Sequence, residues 1–159
     1  MAALAFAAWV GGLAQAVEPA PPKRLAVGIN YIGGQIDYDF TPHVRGELRL
    51  VTGNQTSASG TVSSTVFGAR GYRLFGSSAA RFYCGAELAR VKAKQRAGAY
   101  TVTGMAGGGF IGMERKFSRR AAVGVDAGPY FFSLREAATG ASETTFDFVL
   151  NSYVIFYLF

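Results

Sequence analysis

From residue 25 onward, apolar residues recur at every second position, the period of a strand whose two faces meet different surroundings. In VRGELRLVT, Val44, Gly46, Leu48 and Leu50 share one face while Arg45, Glu47 and Arg49 share the other, sets that a helix would mix. QIDYDF repeats the pattern, with Ile36, Tyr38 and Phe40 opposite Gln35, Asp37 and Asp39. LAVGINY sets Leu25, Val27, Ile29 and Tyr31 against Ala26, Gly28 and Asn30. Further strands are predicted over 63–73, 81–91, 100–117, 121–134 and 144–159. The connections TPH, FGSSAA and SRR are short; GNQTSASG, the KAKQRAG region and EAATGASE are longer and richer in small polar residues.

Alternating short and long connections are the asymmetry of an outer-membrane barrel, with short periplasmic turns and longer external loops. If Phe159 lies on the periplasmic side, counting back makes SRR, FGSSAA and TPH periplasmic, so residues 25–40 must rise, turn and descend. Gly33-Gly34 is expected to supply that turn, because both residues take φ > 0 at low steric cost. The fold class expected is all-β, an eight-stranded antiparallel transmembrane β-barrel. A single long first strand with a glycine bulge would give seven strands instead. NSYVIFYLF becomes the closing strand beside LAVGINY, leaving no edge in lipid.

Period-two alternation alone fits a soluble ligand-binding barrel equally well, and the charges separate the two. Placing each apolar face outward gathers Asp37, Asp39, Glu47, Glu87, Glu114 and Asp126, six of the ten acidic residues, on one side with Arg45, Arg49 and Arg70. Facing hydrocarbon such a set is very costly; inside a narrow barrel carboxylates and guanidinium groups pair and fill it. Inner glycines such as Gly28, Gly108 and Gly112 leave room for those long side chains. Tyr31, Tyr38, Tyr72, Tyr130 and Tyr153 are candidates for aromatic girdles on the outside. Along the last strand the pattern breaks at Asn151: Tyr153, Ile155, Tyr157 and Phe159 alternate one way and Phe146, Phe148 and Leu150 the other, which predicts either a bulge or a reversal of facing.

Composition agrees. Half of the 159 residues are hydrophobic, yet beyond the first segment they come in short pieces, and Gly (21 residues) and aromatics (14%) are abundant. The net charge of +6 has no long basic block interleaved with stacking aromatics, so nucleic acid is not the expected partner. Residues 1–16, an apolar run closing on Ala14-Gln15-Ala16, read as a signal peptide without the usual basic start, followed by a linker over 17–24 and the barrel domain over 25–159. The lone Cys84 has no partner for an intrachain disulfide.

These features, with the YDFTP turn leading into VRGELRL and a last strand ending in Tyr157 and Phe159, resemble the small OmpA/OmpX-like outer-membrane β-barrels over essentially the whole chain after the leader. The resemblance implies a monomer in the cell outer membrane, in contact with membrane lipid and lipopolysaccharide. It also implies that Tyr153, Ile155, Tyr157 and Phe159 form a signal read by the barrel-assembly machinery.

The chemistry on offer is sparse. His43, beside Pro42 in a predicted periplasmic turn, is far from the rim where lipid A-modifying barrels keep their sites, so a plain turn residue is expected and no enzyme. The lumen acids read as an ion-paired plug, with a narrow ion or solute path as the alternative; neither cofactor nor metal is implied. Arg90, Lys92, Lys94 and Arg96 are spaced by two near an external end and would aim to one side, toward lipopolysaccharide phosphates or simply solvent. Arg119 and Arg120 read as turn residues. GMAGGGFIG lacks the Lys-Ser/Thr of a phosphate loop. The expected role is membrane integrity or surface interaction through external loops.

Overall fold

The computed structural model describes residues 25–30, 33–57, 60–76, 79–95 and 101–158. The predicted leader and linker, Tyr31, Arg96 and Phe159 lie outside the described residues. Eight strands follow in chain order: β1 (Leu25–Asn30), β2 (Gly33–Thr41), β3 (Val44–Ser57), β4 (Gly60–Gly76), β5 (Ala80–Gln95), β6 (Thr101–Lys116), β7 (Ala121–Glu136) and β8 (Ser142–Tyr157). Each pairs antiparallel with its neighbours in sequence, and β8 closes on β1 through Ala26–Tyr157 to Asn30–Tyr153. The fold is an eight-stranded antiparallel barrel.

Two features set the lumen's width. Following paired residues once around from Asn30, through Gly33, Val51, Val66, Val91, Gly104 and Leu134, leads to Glu143, whereas Asn30 itself pairs with Tyr153, ten positions further on. That stagger tilts the strands, and eight tilted strands leave an interior only wide enough for side chains to fill. One end of the barrel holds the start of β1, the end of β8 and the turns at 42–43 and 117–120; the other, the far end, holds the end of β1 at Asn30, of β3 at Ser57, of β5 at Gln95 and the turn at 137–141.

Several local expectations shift. Asn30 pairs with Gly33 and Ile29 with Gly34, so Gly33-Gly34 opens β2 and the reversal falls at 31–32, outside the described residues. Gly33 is needed for close approach: a Cβ there would run into the backbone of Leu50 and Val51. GNQTSASG is mostly ladder rather than loop, since β3 and β4 pair continuously from Val44–Arg73 to Ser57–Gly60. A strand pair can carry polar residues on both faces once it leaves the apolar belt, so its sequence reads as loop. Likewise GMAGGGFIG is the middle of β6.

The break at Asn151 has a simple resolution. β7 and β8 pair without interruption from Ala121–Phe156 to Arg135–Ser142, so no bulge shifts the register. Phe146, Phe148 and Leu150 face outward and Tyr153, Ile155 and Tyr157 are buried in the lumen. The strand keeps one alternation; what changes is that its inner side turns from polar to aromatic. The core lies there, toward the end holding both chain termini of the barrel, where Tyr72, Leu74, Tyr83, Phe110 and Ile155 pack together.

Candidate functional site

The lumen is the most elaborated part of the molecule. Because side chains alternate along every strand, all nine charged residues assigned to the inner face, Asp37, Asp39, Arg45, Glu47, Arg49, Arg70, Glu87, Glu114 and Asp126, point into it, and all but Asp39 are buried. Arg81, two steps before Tyr83 on the inner face of β5, joins them.

Three guanidinium groups anchor three tiers. Nearest the terminal end, Arg45 meets Asp39 at 2.5 Å and Glu114 at 2.7 Å and donates to the Tyr157 hydroxyl at 2.9 Å. Arg81 bonds the other Glu114 oxygen and also donates to Tyr157, at 2.7 Å. At mid-height Arg70 reaches Asp126 at 2.8 Å and Glu47 at 3.3 Å, with its guanidinium carbon 3.6 Å from the centre of the Phe110 ring. Toward the far end Arg49 meets both oxygens of Glu87, at 2.7 and 2.5 Å. Each Arg thus presents its planar fork to more than one acceptor, geometry that a point-charge Lys would not match.

Tyrosine hydroxyls complete the acceptors' hydrogen bonds. Tyr72 donates to Asp37 at 3.0 Å, Tyr83 to Asp126 at 3.2 Å and Tyr130 to Glu87 at 2.6 Å. Asp37 has no arginine at bonding distance among the described residues and relies on Tyr72 and on Gln35, which donates at 3.0 Å. This corrects the girdle assignment: Tyr72, Tyr130 and Tyr153 are interior, and of the four candidates that are described only Tyr38 faces outward. The other described outer aromatics are phenylalanines, with Phe40, Phe75, Phe82, Phe117 and Phe156 toward the terminal end and Phe67, Phe131, Phe146 and Phe148 toward the far end. A signal for three of the interior tyrosines was available: Tyr72 shares strand parity with Arg70, Tyr83 with Arg81 and Tyr130 with Asp126, whereas Tyr153 and Tyr157 have no charge close by on their face of β8.

Glycines on the inner face make room for those rings. A Cβ on Gly112 would fall onto the Tyr83 ring, and one on Gly124 onto that of Tyr153.

Arg90, Lys92 and Lys94 project outward from β5, exposed, with no partner among the described residues. Through the pairings Lys92–Thr103 and Thr103–Arg135 they align with Arg135, also outward, just beyond the apolar surface of Phe67, Leu88, Met105 and Phe131. Arg135 was not anticipated as part of this patch. His43 sits in the two-residue β2–β3 turn, where its N–H donates to the Thr41 hydroxyl and its carbonyl accepts from the Leu74 N–H. Cys84 is exposed on the outer face.

No protein-family model matches the chain, and no curated protein matches it in sequence. Among solved structures, that of Acinetobacter baumannii CarO is similar over 87% of this chain and 98% of the other, at 12% identity and a TM-score of 0.40.

Proposed function

We propose that this chain is a non-enzymatic outer-membrane β-barrel that serves membrane integrity or surface interaction through its far-end hairpins, with the terminal end in the periplasm. The observation carrying this reading is the inverted polarity of the molecule. Large apolar side chains cover the outside, Ile111 and Leu150 each 71% exposed, while Arg45, Glu114, Asp37 and Asp126 are each at most 2% exposed within. A monomer in water does not present so continuous an apolar surface, whereas hydrocarbon demands it. Heat-modifiable gel migration of the membrane fraction tests the reading; recovery in the aqueous periplasmic fraction would return the soluble ligand-binding barrel.

Two finer assignments belong here. The basic row of Arg90, Lys92 and Lys94, continued by Arg96, contacts lipopolysaccharide phosphates at the outer rim, supported by its exposure directly above the apolar belt. Tyr153, Ile155, Tyr157 and Phe159 form the signal for the barrel-assembly machinery. Deleting Phe159 then impairs assembly more than deleting the GNQTSASG segment.

A second reading, a narrow ion or small-solute path, draws on the charged lining of the lumen and on one Glu47 oxygen that is buried without a partner among the described residues. Single-channel recording in planar bilayers decides it, and a silent bilayer removes it.

A further inference from the structure

The barrel wall is not equally tall all round. β1 and β2 reverse after Asn30, so pairing of β1 with β8 stops at Asn30–Tyr153 and pairing of β2 with β3 stops at Gly33–Val51. β8 continues to Ser142 and β3 to Ser57. Among the described residues the wall between them has a notch, edged by residues 142–152 on one side and 52–57 on the other.

Behind the notch lies a cavity of about 490 Å³, within the range of small-molecule sites. Val51, Val66, Ala89, Ala106, Phe132 and Val149 line it, and the Arg49–Glu87–Tyr130 group forms its floor. Leu150 and Ser152, on the outer face of β8, also border it, so the cavity reaches the notch edge. Asn30 borders it too, and both polar atoms of its amide are buried with no hydrogen-bond partner. A buried amide left unpaired costs free energy unless a ligand or water supplies both an acceptor and a donor.

The edge itself discriminates between occupants. The Phe148 N–H donates to its neighbour Asp147 at 2.8 Å instead of to a strand. An edge capped by a charged residue resists addition of an extended peptide. Meanwhile Phe146, Phe148 and Leu150, 60%, 65% and 71% exposed, carry the apolar outer surface up to the gap.

We propose that the notch is a lateral portal through which a single-chain amphiphile passes from the outer leaflet into the lumen cavity. Its hydrocarbon body lies against Val66, Ala106 and Phe132. Its small head, a group that both donates and accepts such as a protonated carboxyl or an alcohol, pairs with the Asn30 amide. The inference rests on the outer-membrane reading above, and its test separates the two.

Tryptophan reporters are placed on adjacent residues of the full chain, Phe132→Trp in the cavity and Phe131→Trp facing lipid, each with Trp9→Phe, in phosphatidylcholine vesicles; Val149→Trp is the second cavity reporter, and heat-modifiable migration verifies that each variant folds. Dibromostearic acid should quench the cavity reporter with saturation while quenching Phe131→Trp only in proportion to its content. Asn30→Leu should weaken the saturable phase by roughly tenfold, the loss of one buried donor–acceptor pair. If dibrominated phosphatidylcholine leaves Phe131→Trp unquenched, the outer-membrane reading itself falls. If that reporter is quenched but both cavity reporters track bulk content, the portal is wrong. Saturation by the brominated phospholipid alone makes a resident lipid chain the occupant, unchanged affinity in Asn30→Leu removes the head assignment, and protection of the 146–150 amides from exchange by an extended peptide would mean strand addition; each overturns the proposal.

Discussion

Tyr130 and Phe131 are neighbours on β7 and opposites in environment. Tyr130 turns into the lumen and donates to Glu87, whereas Phe131 turns outward against Phe146, their ring centres 5.1 Å apart. The same division runs round the barrel. Inside, most rings carry a hydroxyl because the carboxylates need donors, with Phe110 and Phe132 the exceptions among the described residues; outside, phenylalanine predominates and Tyr38 stands toward the terminal end. The inner surface is therefore held by specific pairing, whereas the outer one, on the outer-membrane reading proposed above, is held by unspecific solvation in hydrocarbon, and the two should fail differently.

The inner surface should fail hardest. Replacing Arg70 with Met strands Glu47 and Asp126 at mid-height, a loss of about 3–5 kcal/mol by the behaviour of broken buried pairs. The urea midpoint of refolded protein in lipid vesicles measures it. Adding Glu47→Gln and Asp126→Asn should recover most of that loss, because the cost lies in the orphaned charges. A triple variant no better than Arg70→Met would mean that Arg70 acts through its stacking on Phe110.

On the outer surface the cost depends on depth rather than partner. Ile111→Arg places a charge in the middle of the belt and should cost about 2–4 kcal/mol in vesicles. Moving to the next residue crosses the wall: Gly112→Ala should cost about 1–3 kcal/mol, because its Cβ meets the Tyr83 ring that bonds Asp126. A Tyr83→Leu background should absorb most of the Gly112 penalty and none of the Ile111 penalty. Equal relief for both would erase the distinction between the two surfaces.

The distinction was half visible in the chain. Alternation located the strands after residue 25 and fixed which charges share the lumen, because charge is the costliest group to misplace and so the least ambiguous to read. Aromatics were harder. Tyr153, Ile155 and Tyr157 look like a lipid-facing stripe, since hydrophobicity alone does not tell a ring packed under carboxylates from one in a bilayer. The Gly33-Gly34 assignment missed by one pair for a related reason: glycine marks close backbone approach as well as turns, and here it is the approach to Leu50 that needs it. GNQTSASG looked like a loop because a ladder beyond the belt has no apolar face to betray it. Arg81 was legible by parity with Glu87, but it opens a strand beside a turn-like sequence, where facing is weakly specified.

The smallest test is a swap of the two aromatic types. Tyr72→Phe leaves Asp37 with Gln35 as its remaining bonded neighbour and should cost about 1.5 kcal/mol, the range for a hydrogen bond to a charged group. The reverse change outside, Phe131→Tyr, should cost no more than about 0.5 kcal/mol, because an outward ring near the far end of the belt can turn a hydroxyl toward the interface. The asymmetry is the informative quantity. If Phe131→Tyr costs as much as Tyr72→Phe, position 131 lies deeper in hydrocarbon than its place next to Ser133 and Arg135 implies, and the basic row of Lys92 and Arg135 must sit correspondingly lower against the membrane.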